Sequence, residues 1–412
     1  MIDNNHRGRK IFNRIMTIMV AFLIHKAIIT VAVVVSKGYI SNGNLFSLES
    51  FKDILFFNFS KWDSNWYLKI AENGYYSTKS TAFFPLYPIL IRVLSDITNL
   101  NPVICGIIIS SICFLIALYF AQKLIEIDFD SRAAKRVVYI LALNPVAFYF
   151  TSVYTESTFL MLSILCLYNI RKRRWFLAAM AGAFCSATRN TGVLLVIPFA
   201  LEYFYAKLPL QVIGENYSIK DRLIGVKNEL KISNVNKYLS GLWICLVPLG
   251  LISYMSYLFL KFGSALTFIS SQSDYGRSTL NPIKSIVVGL WVTLKLAISK
   301  YGYGNQIYYI FEFISVLNFV VLSIICFRKM RFSYWMLMVI SLLIPLTKPA
   351  LTSTVTDYFV SFPRYLIVSF PYMLSLYMIS KKNNVIYGVI ISLSIVILIL
   401  SVYFWSIKLW VA

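Results

Sequence analysis

The chain has 412 residues, of which 58% are hydrophobic, and its mean hydropathy is +0.71. This apolar share exceeds the roughly 45 to 50% of soluble domains, so the composition excludes a soluble globular protein and indicates an integral membrane protein. The net charge of +22 does not indicate a nucleic-acid partner, because its basic clusters lie beside apolar segments, where cytoplasmic loops carry Lys and Arg.

These basic clusters set the predicted topology. They lie at residues 6–14, 123–136, 171–174, 207–237, 328–331 and 381–382. With every cluster in the cytoplasm, the N-terminus is cytoplasmic and about eleven helices cross the membrane. The helices are predicted at residues 14–36, 103–122, 137–152, 156–170, 175–188, 190–205, 239–260, 306–327, 332–347, 364–380 and 384–408. The predicted fold is an all-α integral membrane protein, with one polytopic domain over residues 1–412.

The first part of the chain defines a long external loop. The apolar run at about 14–36 is too long for a signal-peptide h-region, so it is predicted to remain as the first spanning helix. Residues 37–102 then lie outside, and the amphipathic run AFFPLYPILIRVLSDI at 82–97 is expected to lie along the membrane surface. If that run crossed the membrane, several loops would invert and residues 171–174 would face outward, which the charge rule disfavours.

Later stretches complete the predicted topology. Residues 175–206 begin and end in the cytoplasm, so they are predicted to form two short helices that meet near TRNTG, with Arg189 at the outer turn. Residues 206–238 form a cytoplasmic loop. No spanning helix is predicted between residues 261 and 305.

The predicted external face collects polar residues from distant parts of the chain. They are Asp63, Glu72, Arg92, Asp96, Glu156, Arg189, Gln272, Asp274, Arg277, Asp357, Arg364 and Tyr365. In the segment KWDSNWYLKIAENGYY, an aromatic belt at the membrane surface would explain Trp62, Trp66 and Tyr67. It does not explain Asp63, which loses hydration at a membrane edge and so needs a function.

Five blocks of sequence resemble one enzyme family. They are KWDSNWYLKIAENGY with AFFPLYPILIR, NPVAFYFTSVYTES, ATRNTGVLLVIP, FGSALTFISSQSDYGRSTLNP and SFPRYLIVSFP. In this order they are similar to the GPI mannosyltransferase II family and its prokaryotic relatives, which are GT-C glycosyltransferases. The resemblance extends from about Trp62 to Pro371. Tyr275 stands where the family usually has tryptophan, and because a ring is kept we expect no change in chemistry.

The resemblance implies an inverting mannosyltransferase that takes mannose from a polyprenyl-phosphate donor, such as dolichyl-phosphate-mannose, on the external or lumenal face. The acceptor would be a glycan or glycolipid. The residues agree with a lipid monophosphate donor, because the predicted external face has no DxD pair to hold a divalent cation against a nucleotide diphosphate; Asp128 and Asp130 lie in the predicted cytoplasmic cluster at 123–136. We therefore predict no metal and no cofactor.

The resemblance also implies roles for residues of the external face. Asp63 would be the general base that takes the proton of the acceptor hydroxyl. Arg189 and Arg364 would bind the phosphate, unless they snorkel to lipid headgroups. Arg277 and Gln272 are further phosphate-binding candidates or belong to a solvated loop.

The remaining candidates would line the substrate. Glu156 would orient a sugar hydroxyl or a basic residue, or would be a first-turn acid favoured by the helix dipole. Trp62 and Trp66 would stack on the sugar or the isoprenoid, and Tyr67 and Tyr365 would lie beside them.

Two other classes of function stay open at this stage. A lipid-linked sugar transporter or flippase should place ionisable groups near the membrane midplane and show repeated halves. A structural subunit would leave Asp63 unexplained.

The expected location is the plasma membrane of a prokaryote or the endoplasmic reticulum of a eukaryote, with membrane lipids as partners; a small partner subunit is neither predicted nor excluded.

Overall fold

Helices make up almost all regular structure in the computed structural model of the chain, which describes residues 2–40, 52–54, 56–207, 239–298, 303–351 and 356–411. The α-helices are α1 (Ile2–Ile40), α2 (Ser64–Asn73), α3 (Leu86–Thr98), α4 (Pro102–Ile125), α5 (Ser131–Ala142), α6 (Glu156–Arg171), α7 (Trp175–Ser186), α8 (Val196–Lys207), α9 (Leu249–Phe262), α10 (Thr267–Ser270), α11 (Pro282–Ile298), α12 (Tyr303–Cys326), α13 (Phe332–Leu346), α14 (Phe362–Val368), α15 (Phe370–Ser380) and α16 (Asn384–Ser406).

Shorter elements connect these helices. Six segments are 3₁₀-helical among the described residues: Phe57–Phe59, Lys79–Ala82, Ala147–Thr151, Asn190–Leu195, Leu239–Leu246 and Ser271–Tyr275. Strands β1 (Ala350–Leu351) and β2 (Thr356–Asp357) pair antiparallel, with Ala350 opposite Asp357. This small hairpin lies just before α14 in the chain.

Five helical stretches within the described ranges are long and apolar enough to cross a membrane. They are Gly8–Lys37, Pro102–Ile125, Ser240–Phe262, Gln306–Cys326 and Asn384–Ser406. Shorter apolar helices lie at Trp175–Ser186, Asn190–Ala206 and Phe332–Leu346. The predicted all-α membrane class is confirmed, whereas the total of eleven spanning helices stays a prediction. The run at 82–97 forms α3, whose 13 residues reach only about 20 Å, too short for a hydrocarbon core of about 30 Å.

Capping residues explain where the central helices begin. The Asn101 side chain accepts a hydrogen bond from the backbone N–H of Val103, and Pro102 occupies the first turn of α4, where its missing N–H costs nothing. The Asp130 carboxylate caps α5 by accepting from the Ala133 N–H at 2.7 Å. Asn101 thus fixes the start of α4, and Asp130 fixes the point where the sharp connection between α4 and α5 ends.

Two predicted spanning helices are broken in the structure. The predicted helix at 137–152 ends at Ala142, because Asn144 precedes Pro145 and the residue before proline disfavours helical backbone. A 3₁₀ segment then replaces the rest of it. The predicted helix at 364–380 is interrupted at Ser369, since Pro371 lacks the N–H that would continue the α14 hydrogen-bond ladder.

Helix α11 was not predicted. It covers 17 residues between 261 and 305, where the sequence pattern indicated no spanning helix. Lys284 and Lys295 interrupt its apolar run, although Ile283, Val287 and Trp291 are exposed on its surface as lipid-facing side chains would be. The region therefore contains a helix that the sequence analysis did not predict, although this helix is not among the five that are long and apolar enough to cross a membrane.

Residues of the basic clusters form ion pairs and hydrogen bonds at one end of the helices. Arg14 pairs with Glu126 at the end of α4, and Arg171 pairs with Asp128 just beyond it. Arg331 pairs with Glu202, and Arg136 donates to the Asn384 side chain at the start of α16. The opposite end of α4 packs near α3, where the Tyr87 hydroxyl donates to the Gly106 carbonyl. The helices therefore have one basic end and one end that carries the candidate site.

Candidate active site

A buried carboxylate lies at the centre of the candidate site. Glu156 is the first residue of α6 and is fully buried. Its Oε1 accepts hydrogen bonds from Arg364 Nε and from Arg189 Nη2, both at 3.0 Å, and Arg364 Nη2 lies at the same distance. Two guanidinium groups from distant parts of the chain therefore converge on one oxygen atom, which offsets the cost of burying the charge.

Arg364 connects this carboxylate to Asp63. Its Nη1 donates to Asp63 Oδ2 at 2.8 Å, and only 5% of the residue is exposed. The guanidinium also lies over the rings of Tyr149 and Tyr154, at 4.9 and 4.8 Å from their centroids. Each guanidinium nitrogen of Arg364 thus has a carboxylate partner, and the two tyrosines hold the plane of the group.

Asp63, Glu156, Arg189 and Arg364 form one cluster, which we call the Asp63 group. Asp63 is its most accessible member. It lies immediately before α2 without capping that helix, and 28% of its side chain is exposed. Within the described residues, Oδ2 is held by Arg364 and no hydrogen bond is found to Oδ1. The carboxylate is therefore oriented from one side and open to a ligand on the other.

Local backbone geometry places both Asp63 and Arg189. Trp62 adopts a left-handed conformation with φ of 56°, which is rare for a bulky residue. Arg189 precedes the 3₁₀ turn Asn190–Leu195, where a Cβ on Gly192 would lie 2.4 Å from the Cys185 backbone. Only glycine permits this close approach, so the TRNTG segment folds tightly against the end of α7.

Aromatic rings form a wall beside Asp63. Trp66 stacks on Phe83 at 5.5 Å and on Tyr76 at 6.1 Å, and Tyr275 meets it edge-on at 6.0 Å. The Tyr67 hydroxyl lies 3.4 Å from Thr155 Oγ1, next to Glu156 in sequence. The ring of Tyr275, where the resemblance implied tryptophan, thus forms part of this wall.

The other predicted residues lie at different distances from the group. Tyr365 is close, since the Arg189 guanidinium lies 5.7 Å from its ring. Trp62 points toward the end of the chain, packs edge-on against Trp410 at 5.3 Å and is 40% exposed. Arg277 donates to the Lys348 carbonyl at 2.9 Å. Its backbone N–H donates to the Gln272 carbonyl, and in the described part of the chain neither side chain contacts the Asp63 group.

One protein family matches the larger part of the chain. The family described as Mannosyltransferase (PIG-V) matches residues 9–257, which is more than half of the chain. The chain belongs to this mannosyltransferase family. The match confirms the resemblance and includes Asp63, Glu156 and Arg189; Arg364 lies beyond it.

Curated relatives of this mannosyltransferase-family chain carry one name. GPI mannosyltransferase 2 of Yarrowia lipolytica is 29% identical over 191 residues, which cover 45% of this chain and 51% of that protein. The Drosophila melanogaster protein of the same name is 27% identical over 168 residues, 36% of each chain. The chain thus spans about a third to a half of the length of the curated relatives that it matches.

A solved structure is also similar, at a greater distance. The apo crystal structure of an Archaeoglobus fulgidus oligosaccharyltransferase aligns with 93% of this chain and 55% of its own, at 13% identity and a TM-score of 0.41. This likeness is too remote to inform the site.

A second buried group in the mannosyltransferase-family chain was missed as a site feature. Glu312 Oε1 accepts the backbone N–H of Ser361 at 2.9 Å, and Asp357 accepts from Tyr308 and from the Phe359 N–H at 3.0 Å each. Ser361 has a left-handed φ of 61° and directly precedes α14, which carries Arg364. A lone glutamate in the apolar span Gln306–Cys326 was the sequence signal for this group.

Proposed function

We propose that this chain is a membrane glycosyltransferase that moves mannose, with inversion, from polyprenyl-phosphate-mannose to a hydroxyl of a glycan or glycolipid. The observation that carries the proposal is the half-open Asp63, held by Arg364 at 2.8 Å beside an aromatic wall. Membership of the mannosyltransferase family supports the sugar, and the names of the curated relatives support a glycolipid acceptor.

Asp63 would act as the general base. The open oxygen of Asp63 takes the proton of the acceptor hydroxyl while the oxygen of that hydroxyl attacks the anomeric carbon of mannose. The bond between the anomeric carbon and the phosphate oxygen breaks, and polyprenyl phosphate leaves from the opposite face of the sugar, as in other inverting reactions. Arg364 would fix the direction of the carboxylate during this step.

Arg189 would contact the phosphate of the donor. One of its guanidinium nitrogens, Nη2, is bound to Glu156, whereas the buried Nη1 lacks a hydrogen-bond partner in the described structure. A phosphate oxygen would satisfy this donor, and the positive charge would stabilise the leaving group. Because every guanidinium nitrogen of Arg364 already faces a carboxylate, Arg364 is better placed to orient Asp63 than to hold the phosphate.

The remaining features fit the same reaction. The stacked rings of Trp66, Phe83 and Tyr76 offer a flat surface for the sugar or for the first isoprene units. In the described part of the chain, no group of three or more His, Cys, Asp or Glu is arranged to hold a metal ion. A metal-independent reaction remains our proposal, as does an external or lumenal position for the site.

A transporter of lipid-linked sugars is the alternative function. Transporters of this kind bind their substrate near the membrane midplane, at broken helices of two repeated halves. Here Asp63 belongs to the loop region before α2, and Glu156 and Arg364 each lie near the start of a helix. This placement at one end of the helices favours the transferase.

Mannose transfer by purified protein tests the proposal. Protein in lipid nanodiscs would be incubated with radiolabelled polyprenyl-phosphate-mannose and an extract of lipids and glycans, with GDP-mannose as the alternative donor. We expect transfer only from the lipid donor. Asp63→Asn should lower the rate by at least about 100-fold, the usual effect of losing a general base, while donor binding is kept. Asp63→Glu should also fail, because one added methylene misplaces the carboxylate.

Asp96→Asn is the matched control, since Asp96 is an exposed acid of α3 whose ion pair, among the described residues, is with its exposed neighbour Arg92. It should transfer at the wild-type rate. An Asp63→Asn protein as active as the wild type would exclude Asp63 as the base. Loss of donor binding in that variant would instead assign Asp63 to ligand positioning.

A further inference from the structure

A polar cavity lies at the basic end of the helices, away from the Asp63 group. Its volume is about 360 Å³, and it is lined by Arg9, Lys10, Asn13, Arg14, Gln122, Glu126, Ser131 and Lys135. Ser110 in α4 contacts the Tyr154 carbonyl near the candidate active site. Gln122 lies about 18 Å further along the same helix, at 1.5 Å per residue. The cavity and the candidate active site therefore lie toward opposite ends of α4, a helix long enough to cross the membrane.

The cavity carries an excess of positive charge. Arg9, Lys10, Arg14 and Lys135 are cations, and Glu126 is the single acid among the lining residues. Glu126 accepts from Arg14 at 2.6 Å and lies 3.6 Å from Lys10, so it neutralises only part of this charge. An anion that enters the cavity would meet a net attraction from lysine and arginine side chains.

Two residues that line the cavity each have a buried polar atom without a hydrogen-bond partner among the described residues. Arg14 Nε is a donor and Gln122 Oε1 is an acceptor; neither has a hydrogen bond within the described structure, and the two residues are 8% and 2% exposed. Buried polar atoms are nearly always satisfied, so Arg14 and Gln122 are the lining residues with hydrogen-bonding capacity left for a ligand in the cavity. The ligand must offer an acceptor to the arginine and a donor to the glutamine.

We propose that this cavity binds the headgroup of an anionic phospholipid that carries hydroxyl groups beside its phosphate, such as phosphatidylglycerol. The phosphate accepts from Arg14 Nε and is attracted by Lys10 and Lys135, and a headgroup hydroxyl donates to Gln122 Oε1. The source is a lipid because the cavity lies among the ends of α1, α4 and α5, at the depth of the headgroups, where basic cavities between membrane helices bind lipid phosphates. This proposal does not depend on the transferase activity.

Lipid titration of the full-length protein tests the proposal. Delipidated protein in detergent would be titrated with phosphatidylglycerol, phosphatidic acid and phosphatidylcholine, and the bound fraction read by native mass spectrometry. We expect phosphatidylglycerol to bind most tightly and phosphatidylcholine least. The double variant Lys10→Gln with Lys135→Gln removes two exposed cations and should still fold. It should weaken phosphatidylglycerol binding by about 25-fold, roughly fivefold for each cation near a lipid phosphate.

The control removes two exposed cations that do not line the cavity. Lys381→Gln with Lys382→Gln changes the same net charge at the same end of the helices, beside Asn384, and should leave binding unchanged. Gln122→Met keeps the side-chain length but removes the acceptor. It should abolish the preference for phosphatidylglycerol over phosphatidic acid while phosphatidic acid still binds.

Three results would overturn the proposal. The first is equal binding of phosphatidylglycerol by the wild type and by the Lys10 and Lys135 double variant. The second is binding of phosphatidylcholine as tight as that of phosphatidylglycerol. The third is displacement of the lipid by soluble glycerol 3-phosphate at the same concentration, which would assign the cavity to a free phosphate ester instead of a membrane lipid.

Discussion

At the scale of single residues, Arg364 determines how the site is organised. Its side chain holds Glu156 on one edge and Asp63 on another, and the rings of Tyr149 and Tyr154 cover it. A lysine has one compact ammonium group in place of this planar fork, so it cannot hold both carboxylates in the same geometry. The identity of the residue matters here as much as its charge.

Arg364→Lys therefore should lower mannose transfer although it keeps the charge. About 1 to 3 kcal/mol of charge-assisted hydrogen bonding is lost, which corresponds to a decrease in kcat/KM of roughly 5- to 150-fold. If Arg364 orients Asp63, kcat should fall more than the KM for the donor rises. Steady-state kinetics with varied donor measures both quantities, with Arg92→Lys, an exposed arginine, as the control. Wild-type kinetics in Arg364→Lys would remove the residue from the site.

The sequence predicted the members of the site better than their contacts. Asp63, Glu156, Arg189 and Arg364 were all placed on one face from charge and topology alone, and the structure brings them within hydrogen-bond distance. The sequence analysis left open that Glu156 orients a basic residue, but it did not predict that Arg364 pairs with both Glu156 and Asp63, because hydropathy assigns a side of the membrane but no distance within it. For the same reason, hydropathy did not show that Arg277, which shares the predicted face, donates to the Lys348 carbonyl and stays apart from the site.

At the scale of elements, the short helix α14 is held by the acids that precede it. Glu312 accepts the Ser361 N–H at its start, and Asp357 joins Tyr308 to the Phe359 backbone. Burial raises the pKa of Asp357, and the hydrogen bonds to this carboxyl and the charge of Arg277 offset only part of that effect. The folded protein thus keeps a proton on Asp357 up to a higher pH than the unfolded chain.

This raised pKa predicts a pH dependence of stability. Below the unfolded pKa of Asp both states are protonated, and as pH rises above it the unfolded chain releases its proton first, so stability is lost until the folded pKa is passed. Asp357→Asn should flatten this loss, because asparagine does not titrate. Melting temperatures at several pH values between 4 and 8, with Asp96→Asn as the exposed control, measure the difference. Parallel pH curves for wild type and Asp357→Asn would contradict it.

Most helices could be predicted from hydropathy, and the failures have local causes. The segments at 103–122, 156–170 and 306–327 agree with α4, α6 and α12 within a few residues. The helices at 137–152 and 364–380 failed because a window average of hydropathy does not register one proline. Helix α11 was passed over because two lysines lowered its apolar signal, although long cationic side chains can extend to the membrane surface.

At the scale of the whole molecule, the ion pairs divide the protein into two ends. Arg14, Arg136, Arg171 and Arg331 are each engaged at one end, as expected if their clusters share the cytoplasmic side. The Asp63 group lies at the other end of α4. Apart from Lys207, the cluster at 207–237 falls outside the described residues, so its side stays a prediction.

Cysteine labelling in intact cells tests this orientation. Thr78→Cys, in the exposed connection after α2, should react with an impermeant maleimide, whereas Lys172→Cys, in the exposed turn after α6, should react only after permeabilisation. The wild-type chain provides the background, since Cys245 is exposed. A cysteine at position 226 should behave like the one at 172. Labelling at 172 and protection at 78 would reverse the predicted orientation.

The separation of Asp63 and Arg364 along the chain governs when the site forms during synthesis. The two residues are 301 positions apart, whereas Glu156 and Arg189 are only 33 apart. At about 5–20 residues per second, the ribosome completes the Glu156–Arg189 pair early and adds Arg364 roughly 15 to 60 s after Asp63. Until then Asp63 lacks its partner Arg364 in the nascent chain. We expect the insertion of α14, which carries Arg364, to be the step that joins Asp63 to the rest of the site.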